Sequence, residues 1–248
     1  KVDSYADIPS VIDQLSEFKR AAEENKSSQE KLFLAQLKET GERNEVLTKE
    51  LEKVTDENER LLLLLERESN NHLNIGLRHH LAAEYLEALE EYEVATILNP
   101  KTPGAYSNWG VALCDLAKTK SGSEAEDLYK EAIDKYREAV KYRSDDHAAY
   151  YNWGNALSDL AETKSGSEAE DLYNEAIDKY REVIEYGGDS FYNLACLYVL
   201  RNRKEEALKY LDHALSRGEV SVEILESRWI WLRDDPDFKC LLSRHKGK

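Results

Sequence analysis

Four asparagines recur at matching places along the chain and are the residues best suited to binding chemistry. Each stands two residues before the small residue that anchors an internal repeat, at Asn74, Asn108, Asn152 and Asn193. A side-chain amide both donates and accepts hydrogen bonds, so it can pair with the N–H and C=O groups of a bound backbone. A row of such amides predicts a surface that holds an extended peptide with little regard to its sequence. The alternative is that these amides bond between neighbouring repeats.

Patterns typical of catalysis or metal binding are missing from the sequence. It contains no HExxH, GxSxG or CxxC motif. His79 and His80 are adjacent, so on a helix they point about 100° apart and do not share a metal-binding face. Lys120-Ser121-Gly122 precedes a predicted helix but lacks the glycine spacing of a phosphate loop. We therefore expect a protein that is not an enzyme and that uses no cofactor and no metal.

The composition narrows the class of partner and the compartment. A net charge of −16 argues against nucleic acid and against anionic lipid, which both require basic patches. No apolar run approaches the roughly 18 residues that span a membrane, so no direct membrane insertion is expected. The three Cys are widely spaced and fit no metal or disulfide pattern. Cys114 and Cys196 fall inside apolar helical patterns, which indicates buried thiols in a reducing compartment, and the sequence predicts a cytoplasmic protein. Because the chain begins at Lys1 and contains no Met, we expect a trimmed protein whose original targeting signal could have been removed.

The two central repeats are near-copies of each other. Residues Trp109–Tyr142 and Trp153–Tyr186 differ at seven of 34 positions and are offset by 44 residues. A fixed period of this size is typical of stacked repeats. Related blocks precede and follow, which predicts four helical hairpins over residues 69–221. Each hairpin has a small residue in its first helix, then an Ala, then a large apolar residue four positions later, at Gly76/Ala88/Tyr92, Gly110/Ala132/Tyr136, Gly154/Ala176/Tyr180 and Ala195/Ala207/Leu211.

The two central hairpins each contain ten extra residues between their helices. The segment TKSGSEAEDLY stands at residues 119–129 and again at 163–173. Its Ser-Glu-Ala-Glu portions, which begin at Ser123 and Ser167, predict capping boxes that open the second helix. Gly122 and Gly166 suit the turn before it. The insertion is therefore expected to lengthen the hairpins without adding a disordered loop.

The block from Ile75 to Pro100 closely resembles a tetratricopeptide repeat, in the spacing of Gly76, Ala88, Tyr92, Ala95 and Pro100. The fourth block resembles the same repeat without an insertion, and the two central blocks depart from it by their ten extra residues. The resemblance covers residues 69 to about 221 and implies an all-α, right-handed helical-hairpin solenoid. It specifies the fold closely and the ligand hardly at all. Asparagines at the ladder position also resemble those of O-GlcNAc transferase and kinesin light chain.

Repeat geometry places further candidate residues on the same inner wall as the asparagines. The candidates that would contact a peptide are Asp115, Tyr151, Asn155, Asp159 and Tyr192. Cochaperones of the tetratricopeptide family bind a C-terminal carboxylate with Lys and Arg at such positions. Those basic residues are missing here, and the two aspartates repel a carboxylate. We therefore expect a neutral or basic segment as the ligand, with Tyr rings for apolar contact.

A heptad pattern precedes the repeats and predicts a coiled coil in residues 1–68. The core positions of this pattern are three and four residues apart in turn, and they are Asn44, Leu47, Leu51, Val54, Asn58, Leu61 and Leu65. Two Asn in the core positions favour a parallel, in-register homodimer, since each then pairs with its own copy. The alternative is a helix that packs on its own chain. Leu61–Leu65 are five consecutive Leu, more than a two-stranded seam covers, so the excess is expected to pack on the first repeat or a third element.

Residues 222–248 are predicted to be a C-terminal cap, with an apolar face from Ile224, Leu225, Trp229 and Leu232 and a final helix at Pro236.

The sequence as a whole predicts an adaptor or scaffold that binds an extended neutral or basic peptide in a concave groove, dimerised by the coiled coil. The alternative is a regulatory or chaperone-like domain of a larger system whose coiled coil is the main partner-binding element.

Overall fold

The computed structural model describes residues 44–246, with side chains from residue 48, and seven isolated positions between 17 and 31. The regular elements of this described part are helices, which confirms the all-α class. The chain divides into two compact units, one ending at Ala105 and one beginning at Tyr106. The predicted division at residues 68 and 69 falls inside a continuous helix.

The described part of the first unit is a helical hairpin. Helix α1 (Asn44–Leu81) is followed, after a tight turn with Ala83 at a φ of 60°, by α2 (Tyr85–Leu98). The second half of α1 packs on α2, where the fully buried Ser69 hydroxyl donates to the carbonyl oxygen of Ala95 at 2.8 Å. The first predicted hairpin is thus formed by the end of a long helix and α2.

The second unit contains the remaining hairpins and the cap. Helices α3 (Pro103–Ala117) and α4 (Ser123–Tyr142) form one hairpin, and α5 (His147–Glu162) and α6 (Gly166–Glu185) form the next. A shorter hairpin follows, made of α7 (Phe191–Leu200) and α8 (Lys204–Arg217). The cap consists of α9 (Val222–Arg228), a 3-10 turn (Ile230–Leu232) and α10 (Pro236–His245).

Small residues let the two helices of each hairpin approach closely, as the spacing predicted. A Cβ atom at Gly110 would lie 2.7 Å from the ring of Tyr136, and one at Gly154 would lie 2.8 Å from the ring of Tyr180. Such distances are shorter than van der Waals contact, so any larger residue at these positions would force the tyrosine ring to move. In the last hairpin Ala195 and Leu211 are fully buried in the corresponding places.

The insertions lengthen α4 and α6 to 20 residues each, so the predicted architectural role is confirmed. The predicted capping boxes are wrong. Gly122 holds the position before α4 at a φ of 62°, and neither α4 nor α6 has a side-chain cap. The acidic residues of the insertion bond to the next hairpin instead: Glu126 lies 2.5 Å from Lys164, and Glu170 pairs with Arg201.

The predicted coiled-coil segment forms the first half of α1. Its seam residues Leu51, Val54, Asn58 and Leu61 are half-buried and Leu65 is buried, whereas the side chains of Asn44 and Leu47 lie outside the described residues. Leu62, Leu63 and Leu64 are 44%, 65% and 54% exposed, so they do not pack on the first repeat, and their packing on a third element stays a prediction.

The C-terminal cap covers the last hairpin largely as predicted. Leu225, Trp229 and Leu232 are buried in one cluster with Leu211, and Asp235 caps α10 by accepting from the backbone N–H groups of Asp237 and Phe238. Ile224 departs from the prediction, because it is 44% exposed and does not belong to that apolar face.

Candidate functional site

The polar side chains of α3, α5 and α7 form the candidate site, which we call the first-helix face: Asp115, Tyr151, Asn155, Asp159 and Asn193. All five are partly exposed, and they belong to the first helices of consecutive hairpins in the second unit. Side-chain contacts between neighbouring hairpins join them into two groups. One group is built of amides and phenols, and the other of carboxylates.

Asn193 joins α7 to the preceding hairpin. Its amide nitrogen lies 3.3 Å from Oδ1 of Asn155, 3.4 Å from the Tyr180 hydroxyl and 3.5 Å from the Tyr151 hydroxyl. The Tyr180 hydroxyl in turn donates to Oδ1 of Asn155 at 2.7 Å. This member of the asparagine row therefore bonds between neighbouring repeats, as the alternative interpretation had it.

Asn108 and Asn152 differ from Asn193 although they hold the equivalent positions. Both are half-buried, and within the described part of the chain neither side-chain amide makes a hydrogen bond. Their amides are available to a ligand. Asn74 is exposed and lies in the first unit, so it is not part of the first-helix face.

Tyr192 belongs to the end of the face that meets the cap. Its ring lies 6.4 Å from that of Trp229, and its backbone N–H donates to Glu219 at 3.0 Å. These contacts hold α7 against the cap, which places Tyr192 apart from the Tyr151–Asn193 network.

Two equivalent aspartates of neighbouring hairpins share one lysine. Nζ of Lys118 lies 3.3 Å from Oδ1 of Asp115 and 4.0 Å from Oδ2 of Asp159. Burial raises the pKa of the Asp159 carboxyl above its usual value; Lys118 acts in the opposite sense, and Glu162 and Asp115 add to the rise. The carboxylate charge of Asp159 is thus held in surroundings that disfavour it, which is typical of functional positions.

The sequence reasoning missed Lys118, Glu162 and the role of the Tyr180 hydroxyl. A signal was present in the seven differences between the central repeats. Three of them lie in the first helix or just after it and are spaced by three and four residues. They are Val111/Asn155, Cys114/Ser158 and Lys118/Glu162. Such spacing puts them on one helix face, and it is the face that carries the aspartates.

These differences change the surroundings of two equivalent tyrosines. The Tyr136 hydroxyl lies 3.9 Å from the Cys114 sulfur, and burial raises the pKa of the Cys114 thiol to about 12. The Tyr180 hydroxyl instead meets Asn155 and Asn193, and burial raises its pKa to about 12. The second copy therefore has a network of phenol and amide groups where the first has a single contact between a hydroxyl and a buried thiol.

Two sequence models of known families match parts of the chain. Residues 84–199 match the plant specific mitochondrial import receptor subunit TOM20. Residues 188–223 match a tetratricopeptide repeat. No curated protein matches the chain significantly.

Solved structures of tetratricopeptide repeat proteins have a similar fold. A thermophilic one from Thermus thermophilus superimposes with a TM-score of 0.52 at 15% identity, over 71% of this chain and 89% of that one. The chain is a tetratricopeptide repeat protein. MamA aligns at 19% identity over 73% of this chain and 96% of its own, with a TM-score of 0.46. YrrB, described as a tetratricopeptide repeat protein with an unusual peptide-binding site, aligns at 21% identity over 58% of this chain and 84% of its own, with a TM-score of 0.29.

The tetratricopeptide fold indicates a protein–protein interaction adaptor, and both matched families are non-catalytic interaction modules. The predicted cytoplasmic location is wrong, because the match to a mitochondrial import receptor points to the mitochondrial outer membrane. In the described residues, no helix is both long and apolar enough to cross a membrane.

Proposed function

We propose that this tetratricopeptide repeat protein is a receptor-like adaptor for basic amphipathic segments, of the kind that target proteins to mitochondria. Such segments are rich in Arg and Ser and poor in acidic residues. The observation that carries the proposal is the half-buried Asp159 carboxylate beside Asp115 on the first-helix face. The match of residues 84–199 to an import receptor subunit supports it, since that range contains both aspartates.

The first-helix face and the neighbouring amides of Asn108 and Asn152 fit such a ligand in two ways. Cationic side chains of the segment pair with Asp115 and Asp159, and its backbone or Ser hydroxyls bond with the amides of Asn108 and Asn152. Tyr151 supplies apolar contact. The charge of −16 attracts a basic segment from a distance and speeds its association.

A series of three labelled peptides tests this function by fluorescence anisotropy on the full chain. The first is basic and amphipathic, the second has the same composition in a scrambled order, and the third carries Glu in place of each Arg. Affinity is expected to fall from the first to the third. Equal binding of the basic and the acidic peptide would refute the proposal.

The coiled-coil segment supports a second proposal, a parallel homodimer through α1. Asn58 stands at a core position of the heptad pattern and is half-buried, and an in-register pair would place it beside the Asn58 of the second chain. Exposed Leu62–Leu64 add apolar surface beside it. Light scattering is expected to give twice 28.5 kDa, and Asn58→Leu is expected to change the oligomeric state. A mass of one chain rejects the dimer.

The same surface could instead be the main partner-binding element, and the peptide assay separates the two possibilities. Replacing Leu62 and Leu63 by Ser removes exposed apolar area of α1 without touching the first-helix face. If these substitutions abolish peptide binding while substitutions at Asp115 and Asp159 leave it unchanged, α1 is the binding element.

A further inference from the structure

The last 48 residues, which comprise α8 and the cap, are weakly basic in an otherwise acidic protein. Residues 201–248 carry 11 Lys and Arg against 9 Asp and Glu, whereas residues 1–200 carry 23 against 41. An anion is therefore repelled less by this end of the chain than by the rest.

A cavity of about 480 Å³ lies between α9 and α10. Its volume falls in the range of small-molecule sites, which is roughly 300–1,000 Å³. Phe238 and Leu242 belong to the apolar core of the cap and also line this cavity. Phe238 and Leu242 are 1% and 6% exposed, so they give the cavity a small apolar floor that the end of a hydrocarbon group can contact.

Three cationic side chains line the same cavity, together with one carboxylate. Arg233 is exposed and has no ion-pair partner in the described part of the chain, and Lys239 lies 3.2 Å from Asp234, whose side chain is 98% exposed. Lys246 is 2.6 Å from Glu226. Three cationic side chains against one carboxylate give the lining a net positive charge, which Asp234 beside Lys239 reduces and which Arg233 retains in full. Guanidinium and ammonium groups in this arrangement match a carboxylate or phosphate.

We propose that this cavity binds an amphipathic anion, with its hydrocarbon part against Phe238 and Leu242 and its carboxylate or phosphate on Arg233 and Lys239. The ligand class is a fatty acid or an anionic lipid. The site lies on the cap, at residues distinct from those of the first-helix face, so it is independent of the proposed peptide receptor function.

Calorimetric titration of the full chain with decanoate and with decyl phosphate tests the site, with decyltrimethylammonium as the cationic counterpart. Saturable binding of the anions is expected, and the cation is expected not to bind. The double substitution Arg233→Glu and Lys239→Glu should weaken binding by about tenfold or more, because each lost contact is charge-assisted. Lys209→Glu with Arg228→Glu is the matched control: the pair changes the charge equally, and both residues are exposed and do not line the cavity.

Vesicles separate the two sources of the ligand. Sedimentation with vesicles of phosphatidylcholine alone, or mixed with phosphatidylglycerol, shows whether the anion comes from a bilayer. Binding to mixed vesicles that the double substitution abolishes assigns the site to membrane lipid, and binding of decanoate alone assigns it to a free fatty acid. Ser243→Trp fills the cavity from its exposed side and should reduce either binding. If neither source binds, or if the double substitution and the matched control pair weaken binding equally with unchanged circular dichroism, the proposal is overturned.

Discussion

Lys118 reaches across two hairpins: its Nζ atom lies 4.0 Å from Oδ2 of Asp159 and 3.3 Å from Oδ1 of Asp115 in its own hairpin. The lysine is 57% exposed, so it offsets the two carboxylates only in part. The proposed binding surface thus retains negative charge in a partly dehydrated place. That arrangement costs stability and favours a cationic ligand.

Asp159→Asn is expected to raise the midpoint of thermal unfolding at pH 7. Because burial raises the pKa of Asp159 in the folded chain, folding opposes its charge, and an uncharged amide removes that cost. The increase in the midpoint should become smaller as the pH falls towards 3.8, the ordinary pKa of an Asp carboxyl. The Asp159 carboxyl then gains a proton in both the folded and the unfolded chain. Calorimetry at several pH values measures this. Asp127→Asn, at an exposed position, serves as the control, and a lower midpoint for Asp159→Asn would contradict the account.

Asn193 and Asn152 hold equivalent positions but are expected to respond differently to Ala. Asn193→Ala removes the contacts to Asn155, Tyr151 and Tyr180 and should lower the free energy of unfolding by about 1–2 kcal/mol. Asn152→Ala should change it by less than about 0.5 kcal/mol and weaken peptide binding instead. Urea unfolding and anisotropy measure the two effects. Equal losses of stability in the two variants would show that the network is not the cause.

Gly110→Ala and Gly104→Ala compare two glycines of α3. A Cβ at Gly110 collides with the Tyr136 ring, whereas one at Gly104 meets nothing within 4 Å. The first substitution should destabilise the protein by about 1–3 kcal/mol, and the second should be neutral or stabilise by up to about 1 kcal/mol. Chemical denaturation of both variants decides the matter. A neutral Gly110→Ala would mean that the hairpin does not need this close approach.

The fold could be predicted further from the sequence than the site could. Gly-to-Tyr spacing specified the hairpins because close approach leaves few residue types possible. The capping boxes failed because Gly122 supplies the turn and Glu126 has a stronger partner in Lys164 of the next hairpin. The Lys118–Asp159 and Asn193–Asn155 contacts depend on how neighbouring hairpins stack, which a local pattern does not specify. Exposed Leu62–Leu64 are likewise invisible to a heptad count.

Acid is expected to loosen the C-terminal cap. The hydrogen bond from His245 lowers the pKa of Asp212, and the bond from Lys204 lowers the pKa of Asp235. A lowered carboxyl pKa contributes stability above the ordinary value of 3.8, and that stability is lost as the pH falls through the folded value. Near-ultraviolet circular dichroism, which reports the buried Trp229, should change below about pH 3.8. Asp212→Asn should lack the stability that the Asp212 carboxylate contributes, even at pH 7. A variant with the same free energy of unfolding as the parent would contradict this.

The central claim is that the first-helix face binds a basic segment through its two aspartates. The most direct measurement is the affinity of the full chain for the basic amphipathic peptide when Asp115 and Asp159 are both changed to Asn. Asp134→Asn with Asp178→Asn is the matched control, because these residues are also equivalent in the two central repeats, change the charge equally and lie on exposed second helices. We predict that the first pair weakens binding by about tenfold or more and the control by less than about twofold. Equal effects of the two pairs, or none from the first, would contradict the account.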